Sequence, residues 1–271
     1  MLARRLPEAA RVSCKVRAAQ GESPVDMQQQ RTTHPIGRAE FVETGPGKRA
    51  YYAAPAGIGP FPGALVFMEA FGVNEYVQSE VKRLAEHGYA AIAPDLFDGK
   101  TFSYDDRDSI FPRLKALTDE GMLEHVRASA AFLGARSEVK KGAYGTVGFC
   151  MGGRLAVLSA IELGDQIAAA SSFYGGGIAP KEPRFWPVLT DRLGEAKAEL
   201  LLIYGADDQS MEPAEHGRIA ETLSSHKKRY ALVVYPGAGH GFASRDREAY
   251  NADVAENAWA RTLALFHRTL R

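Results

Sequence analysis

Short apolar runs alternate with segments of helical periodicity along this chain, and this alternation constrains the fold more than any other feature. The runs A-L-V-F-M, Y-A-A-I-A, T-V-G-F and L-L-L-I-Y each begin or end beside Gly or Pro, as buried strands of a parallel sheet often do. The segments between them carry apolar residues on one face, as Val77, Val81 and Leu84 do ahead of a helix-ending Gly88. The sequence therefore predicts an α/β fold with a mostly parallel central sheet and helices on both faces.

Other stretches add detail to this prediction. R-A-E-F-V-E-T and R-A-Y-Y-A-A-P, separated by G-P-G-K, are typical of a hairpin. Residues 98–112 are polar and irregular, and a helix is predicted from Leu114 to Leu133 with an interruption near Gly121. Residues 175–198 have no period and predict an excursion over the edge of the sheet. Two later helices are predicted, at Pro213–Leu223 and Tyr250–Leu270.

The predicted domain covers residues 36–271, because the chain of 271 residues suits one large domain and no linker divides it. Residues 1–35 carry no pattern that demands folding and are predicted to be a disordered extension. This extension is rich in Arg but has no apolar core, which argues against a secretory signal. An organellar transit peptide and a working start near Met27 are the alternatives.

Composition narrows the classes of partner. Lys plus Arg and Asp plus Glu both number 33, and this balance argues against nucleic acid or an anionic membrane as the partner. No apolar stretch reaches the roughly 18 to 20 residues that span a bilayer. Cys14 and Cys150 are too few for a disulfide framework, which favours a reducing, cytoplasmic location. We expect a small-molecule substrate and a monomer or weak homodimer.

Cys150 occupies the setting of a nucleophile. It lies in G-F-C-M-G-G, which follows an apolar strand and precedes a predicted helix. This is the pattern G-x-nucleophile-x-G, a tight strand-to-helix turn that exposes a side chain above the sheet. The helix N-terminus that follows stabilises a thiolate and a nearby oxyanion. The alternative is a small buried core cysteine, but the order of strand, glycines and helix favours the nucleophile.

An acid and a base follow later strands. Asp207 and Asp208 come directly after L-L-L-I-Y-G-A, and a carboxylate there can orient a histidine, although one of the two is expected to be only a turn or cap residue. His240 lies in P-G-A-G-H-G-F after the last strand. Catalytic groups of open α/β sheets lie at the carboxyl ends of strands. The order nucleophile, acid, base is that of the α/β-hydrolase plan.

Glu69 ends an otherwise apolar strand in V-F-M-E-A-F-G. A buried carboxylate is costly without partners, so Glu69 is expected either to cap the next helix or to hold the proton of a neighbouring thiol. The backbone N–H groups of Ala70 and Met151 are predicted to form a two-donor oxyanion hole.

The sequence resembles the dienelactone hydrolase (carboxymethylenebutenolidase) family, a Cys-His-Asp branch of the α/β-hydrolases. The matching motifs are M-E-A-F-G-V-N, L-A-E-H-G-Y-A-A-I-A-P-D-L-F, V-G-F-C-M-G-G-R, S-F-Y-G, Y-G-A-D-D and G-A-G-H-G-F. The resemblance implies that Cys150 is the nucleophile and His240 the base. It selects Asp208 as the acid, three residues after Gly205.

The resemblance also implies further roles and shows departures. Glu69 matches the glutamate that pairs with the resting thiol, and Ala70 and Met151 match the oxyanion-hole positions. Two arginines that bind a substrate carboxylate in the best-known members are replaced by Gly99 and Ser244, and a serine after the histidine is replaced by Gly241. The residues expected to contact substrate instead are Lys100, Arg107, Trp186 and Arg245, with Phe185 as part of the pocket wall.

The predicted activity is hydrolysis of a small ester or lactone through an acyl-enzyme. A thioesterase or dehalogenase on the same scaffold, a non-catalytic binding protein and a redox-responsive thiol are the alternatives. No cofactor is expected, and no metal site, because the histidines are scattered and no C-x-x-C is present.

Overall fold

The computed structural model describes residues 33–271 of the chain, which lie within one compact unit. Its strands are β1 (Ile36–Gly45), β2 (Lys48–Pro55), β3 (Gly63–Phe67), β4 (Ala90–Pro94), β5 (Tyr144–Phe149), β6 (Ile167–Phe173), β7 (Glu199–Gly205) and β8 (Tyr230–Tyr235). Its helices are α1 (Glu75–Glu86), α2 (Arg107–Ala116), α3 (Asp119–Ala135), α4 (Met151–Glu162), α5 (Pro213–Ser225) and α6 (Ala252–Leu270).

All eight strands form one mostly parallel sheet in the order β1-β2-β4-β3-β5-β6-β7-β8. The β1–β2 hairpin and the β2–β4 pair are antiparallel, and the other pairs are parallel. From β3 the chain moves first to β4 on one side and then to β5 on the other. This reversal opens a crevice at the carboxyl ends of β3 and β5, which is where α/β sheets bind ligands.

Helices cover both faces of the sheet, as predicted, and the central strands are buried along their whole length. Every residue of β3, β4 and β5 is buried. Trp259 and Phe266 of α6 are buried against this sheet. Asn74 caps α1 by accepting a hydrogen bond from the Val77 N–H at 3.1 Å.

The predicted interruption near Gly121 is wrong by a few residues. Helices α2 and α3 are separate, and the chain breaks at Leu117 and Thr118. The Thr118 hydroxyl accepts from the Gly121 N–H at 3.1 Å, so Gly121 lies in the first turn of α3. Residues 98–112 are likewise not irregular throughout, because α2 begins at Arg107.

The two residues before the predicted boundary at residue 36 also make hydrogen bonds to the compact unit. His34 donates its N–H to the Glu86 carbonyl at 2.7 Å, and the Pro35 carbonyl accepts from Ala56 at 2.7 Å. The predictions for residues 1–32, Cys14 included, lie outside the described residues. Within residues 33–271, no helix combines the length and apolar character needed to cross a membrane.

Candidate active site

Cys150 occupies a strained turn between β5 and α4. Its φ is 56° and its ψ is −119°, a conformation that residues other than glycine rarely adopt. The turn is tight enough to exclude side chains on both sides. A Cβ on Gly148 would lie 1.9 Å from the Gly152 carbonyl oxygen, and a Cβ on Gly152 would lie 2.3 Å from that of Phe67. The two glycines therefore allow the turn that lifts the thiol out of the sheet.

The thiol opens into a cavity of about 150 Å³ at the carboxyl edge of the sheet. Residues from the ends of β3, β5, β6, β7 and β8 contribute to its wall. Its lining comprises Ala70, Leu114, Cys150, Met151, Arg154, Gly176, Gly177, Arg184, Phe185, Trp186, Ser210 and His240. The cavity thus brings together the candidate nucleophile, the candidate base and both residues of the predicted oxyanion hole.

His240 is oriented by a carboxylate and a hydroxyl. Its Nδ1 lies 2.8 Å from Asp208 Oδ2 and also 2.8 Å from Ser210 Oγ. Ser210 in turn donates its hydroxyl to Asp208 Oδ1 at 2.6 Å and its N–H to the same oxygen at 2.8 Å. The ring of Tyr174 packs edge-on against His240 at 5.1 Å. Because Nδ1 is engaged, Nε2 remains available for proton transfer in the cavity.

The charges of the site favour a protonated His240. Burial opposes a charge on His240, but a Cys150 thiolate and the hydrogen bond to Asp208 outweigh burial and raise the pKa of His240 to about 10. Burial also acts to raise the pKa of Asp208, but hydrogen bonds from His240 and Ser210 prevail and hold this pKa below its ordinary value. Asp208 therefore remains a carboxylate.

The structure distinguishes the two neighbouring aspartates. Asp208 is buried against His240, whereas Asp207 is exposed and donates its N–H to the Ala238 carbonyl.

The two N–H groups of the predicted oxyanion hole are unpaired within the described part of the chain. Among residues 33–271, no group accepts a hydrogen bond from the N–H of Ala70 or of Met151. Both N–H groups are therefore available to a ligand in the cavity that they line.

Glu69 does not cap a helix, since Asn74 caps α1. Its side chain is 1% exposed, and its Oε1 accepts a hydrogen bond from Arg247 Nη1 at 3.2 Å. Its Oε2 has no partner among the described residues. Burial raises the pKa of Glu69 above its ordinary value, although the charges of Arg247 and His240 act in the opposite direction. A buried carboxylate with raised proton affinity is suited to take up a proton.

Arg247 was not identified from the sequence, and its position accounts for the glycine at position 241. A Cβ on Gly241 would lie 2.4 Å from Arg247 Nη1, so the glycine leaves room for the guanidinium. Ser244 is fully buried and pairs its hydroxyl with that of Tyr104 at 2.9 Å. Arg247 lies 5.6 Å from the ring centroids of both Phe71 and Tyr104. The only hint in the sequence was a further arginine in the loop after His240.

The aromatic wall of the cavity is anchored by Arg154, which sequence analysis also missed. Arg154 is 1% exposed and binds both carboxylate oxygens of Asp119, at 2.6 and 3.0 Å. It also donates to the carbonyls of Gly177 and Pro187, at 3.2 and 2.6 Å. Trp186 lies 5.5 Å from its guanidinium and donates its indole N–H to the Leu117 carbonyl at 2.9 Å. The charge of Arg154 is thus neutralised within the protein.

The predicted substrate-contacting residues do not all reach this cavity. Trp186 and Phe185 line it, and Arg184, which was not predicted, lines it too. Lys100 is exposed and is not among the residues that line the cavity. A Cβ on Gly72 would lie 2.2 Å from the carbonyl oxygen of Lys100. Arg245 instead lines a separate cavity.

Arg107 is the first residue of α2, and the prediction for its side chain lies outside the described part of the chain. Within residues 33–271, no three His, Cys, Asp or Glu side chains are grouped so as to hold a metal ion.

Comparison with known proteins shows which family this chain resembles. Residues 49–270 match the model of the dienelactone hydrolase family. A Synechocystis protein provisionally named carboxymethylenebutenolidase is 31% identical over 232 residues, which cover 82% of this chain and 92% of the relative. A Yersinia pestis protein with the same provisional name is 34% identical over 242 residues, covering 86% and 89%.

A solved structure extends the likeness to three dimensions. The crystal structure of a provisionally named dienelactone hydrolase from Klebsiella pneumoniae subsp. pneumoniae superposes with a TM-score of 0.78 at 30% identity, over 86% of this chain and 99% of that one. The sheet and helices described above have the α/β-hydrolase fold. The chain belongs to the dienelactone hydrolase family.

Proposed function

We propose that this protein hydrolyses a small ester or lactone through a Cys150–His240–Asp208 triad and a covalent acyl-enzyme. One observation carries the proposal: His240 is held by Asp208 at 2.8 Å and shares a cavity with Cys150 at the switch point of the sheet. The name carboxymethylenebutenolidase, borne by relatives, supports the same class of reaction.

Glu69 activates the thiol in this proposal. The Cys150 proton passes to Glu69, whose burial favours the protonated form, and the thiolate is stabilised by His240 as imidazolium. Arg247 adjusts this transfer, since its guanidinium stabilises the ionised form of Glu69. Movement of Arg247 away from Glu69 would strengthen the tendency of Glu69 to take the proton.

Acylation then forms one bond and breaks another. The thiolate sulfur bonds to the carbonyl carbon, and the carbonyl oxygen becomes an oxyanion that accepts from the Ala70 and Met151 N–H groups. Collapse of this intermediate breaks the bond to the leaving oxygen, which takes a proton from the imidazolium of His240. In a lactone the leaving oxygen remains attached to the acyl group.

Deacylation repeats these steps with water. Neutral His240 removes a proton from a water molecule, whose oxygen bonds to the acyl carbon. Asp208 stabilises the imidazolium that forms, and the carbon–sulfur bond breaks to release the carboxylic acid and restore the thiolate. Each turnover therefore consumes one water and leaves the protein unchanged.

The lining of the cavity favours an uncharged, flat acyl group. Phe185 and Trp186 offer aromatic faces, and Leu114 adds apolar surface. Arg154 is already paired with Asp119, so it does not offer a free charge to a substrate carboxylate. Arg184 is exposed at the cavity and is the cation that a charged substrate would meet.

The proposal is tested by a small panel of substrates. The panel contains p-nitrophenyl acetate, an enol lactone with a carboxylate, and the same lactone without it, assayed with wild type and Cys150→Ala. Turnover by wild type alone supports the triad, and equal turnover by Cys150→Ala contradicts it. A preference for the neutral lactone supports the apolar cavity, and a strong preference for the carboxylate implicates Arg184.

We further expect the enzyme to work in the cytoplasm as a monomer or weak homodimer. The scarcity of cysteine supports a reducing compartment. Sedimentation at several protein concentrations tests the oligomeric state, and a stable tetramer would contradict it.

A further inference from the structure

A second cavity, of about 380 Å³, shares no lining residue with the active-site cavity. Helix α1 supplies most of its wall, α6 supplies one residue, and the loop after His240 supplies another. The lining comprises Ser79, Glu80, Lys82, Arg83, Glu86, His87, Arg245 and Glu256. We refer to it as the α1–α6 cavity. All of its lining side chains are polar, which distinguishes it from the largely apolar active site.

Glu80 is an unusual residue in this wall. It is 3% exposed, and its Oε2 has no hydrogen-bond partner among residues 33–271. Most buried polar atoms in folded proteins have such a partner, so an unpartnered carboxyl beside a cavity points to a ligand. Burial raises the pKa of Glu80 to about 7, while the charges of Arg83 and Arg245 act to lower it and that of Glu256 to raise it. The side chain can therefore donate a hydrogen bond as a neutral acid.

The charged groups of the α1–α6 cavity are unevenly paired. Arg83 is committed to Glu256 through two hydrogen bonds, at 3.0 and 2.5 Å. Lys82 and Arg245 have no ion pair with an acid in the described part of the chain. Opposite them, Glu86 is the remaining exposed carboxylate.

With Glu80 protonated, the cavity carries one net positive charge. The sum includes Lys82 and Arg83 from α1, Arg245 from the loop, Glu86 from α1 and Glu256 from α6. Burial and then Arg83 lower the pKa of His87, which favours its neutral form. The phenol of Tyr76, also close to Glu80, stays protonated because burial raises its pKa. The balance therefore favours a small anion.

We propose that the α1–α6 cavity binds a small oxyanion, which Lys82 and Arg245 attract by charge and to which protonated Glu80 donates a hydrogen bond. A carboxylate and a tetrahedral oxyanion share this chemistry, because both offer charged oxygen acceptors to an acid O–H and a guanidinium. Arg245 lies between His240 and Arg247 in one loop, so an occupied cavity would restrain the loop that carries both active-site groups.

The site is tested by calorimetry on the full chain with sodium acetate and, separately, sodium sulfate as probes. Neither probe changes its charge between pH 6 and pH 8, and chloride holds the ionic strength constant. Saturable binding is expected at pH 6, with affinity about ten-fold weaker at pH 8, because a group with a pKa of about 7 loses most of its protons over this interval. The tighter probe distinguishes carboxylate from tetrahedral ligands.

Variants locate the binding. Arg245→Gln and Lys82→Gln are each expected to weaken binding at pH 6 at least five-fold. Glu80→Gln, which retains a donor, is expected to bind with little dependence on pH. Arg229→Gln removes an exposed arginine outside the cavity and is the matched control, expected to bind as wild type does.

Three results would overturn the proposal. The first is the absence of saturable binding of either probe at pH 6. The second is unchanged binding by Arg245→Gln and Lys82→Gln, which would place the anion elsewhere. The third is the same pH dependence in Glu80→Gln as in wild type, which would remove Glu80 from the site. Circular dichroism of each variant separates loss of binding from loss of folding.

Discussion

Gly241 and Arg247 occupy one space beside the active site: a Cβ at position 241 would lie 2.4 Å from the Arg247 guanidinium. That guanidinium is hydrogen-bonded to the buried Glu69. The absence of a side chain directly after His240 is therefore linked to the presence of an arginine seven residues after it. This pairing brings a cation to Glu69 from the loop that carries His240.

Gly241→Ala should lower the free energy of unfolding by more than backbone strain alone would. Its φ of +84° strains any other residue, and the new methyl group would also push Arg247 away from Glu69. The matched control is Gly237→Ala, with a φ of +70° and no atom within 4 Å of the new Cβ. We expect Gly241→Ala to lose about 1–3 kcal/mol more than Gly237→Ala in urea unfolding. Equal losses would mean that Arg247 moves without penalty.

Ser210 should tune the histidine without being essential. Its hydroxyl contacts both Asp208 and His240, whereas its N–H bond to Asp208 survives truncation. We expect Ser210→Ala to lower kcat/KM about ten-fold and Asp208→Asn to lower it by a factor on the order of 10³ to 10⁴. Ser210→Thr keeps the hydroxyl and should remain near wild type. A Ser210→Ala defect as large as that of Asp208→Asn would instead make the hydroxyl indispensable.

Arg154 should be irreplaceable by lysine. Its planar guanidinium satisfies Asp119 and two carbonyls at once, and an ammonium cannot reproduce this geometry. We expect Arg154→Lys to lower the free energy of unfolding by at least about 2 kcal/mol. Because the same bonds hold the segment with Trp186, KM should rise more for esters with an aromatic acyl group than for acetyl esters of the same alcohol. Arg192→Lys, at an exposed ion pair, is the control and should change stability by less than about 1 kcal/mol.

Glu80 should make stability depend on pH. Its pKa is about 7 in the folded protein against an ordinary value of 4.5, so the folded state binds the proton more tightly than the unfolded state. Stability is therefore lost as pH rises from about 4.5 to 7, by up to about 3 kcal/mol. The free energy of unfolding of Glu80→Gln minus that of wild type should therefore rise by about that amount from pH 5 to pH 8, as measured by urea unfolding. A difference that stays constant with pH would contradict the raised pKa.

The sequence predicted features that depend on local pattern. The turn around Cys150 could be predicted because strand, glycines and helix N-terminus follow each other within a few residues. The rule that parallel strands end at one edge of the sheet predicted that His240 and one of Asp207 and Asp208 lie together, and the family resemblance selected Asp208. These groups lie close together in the structure because the strands that precede them end at the same edge of the sheet.

Features that depend on contacts between distant segments could not be predicted. The pairing of Arg247 with Glu69 spans 178 positions, and no spacing rule selects it over Arg245. Arg154 follows the nucleophile turn closely, but its partner Asp119 lies on another helix. The break between α2 and α3 lies at the cap residue Thr118, whereas the prediction relied on the glycine at position 121.

The central claim is that Cys150 carries the acyl group, and quenched mass spectrometry tests it most directly. Wild type and Asp208→Asn are mixed with p-nitrophenyl acetate, stopped in acid within one turnover, digested and mapped. We predict one acetyl group on the peptide that contains Cys150, at higher occupancy in Asp208→Asn because deacylation is slowed, and none in Cys150→Ala. An acetyl group that forms on a different residue, or Cys150→Ala that turns the ester over at the wild-type rate, would contradict the account.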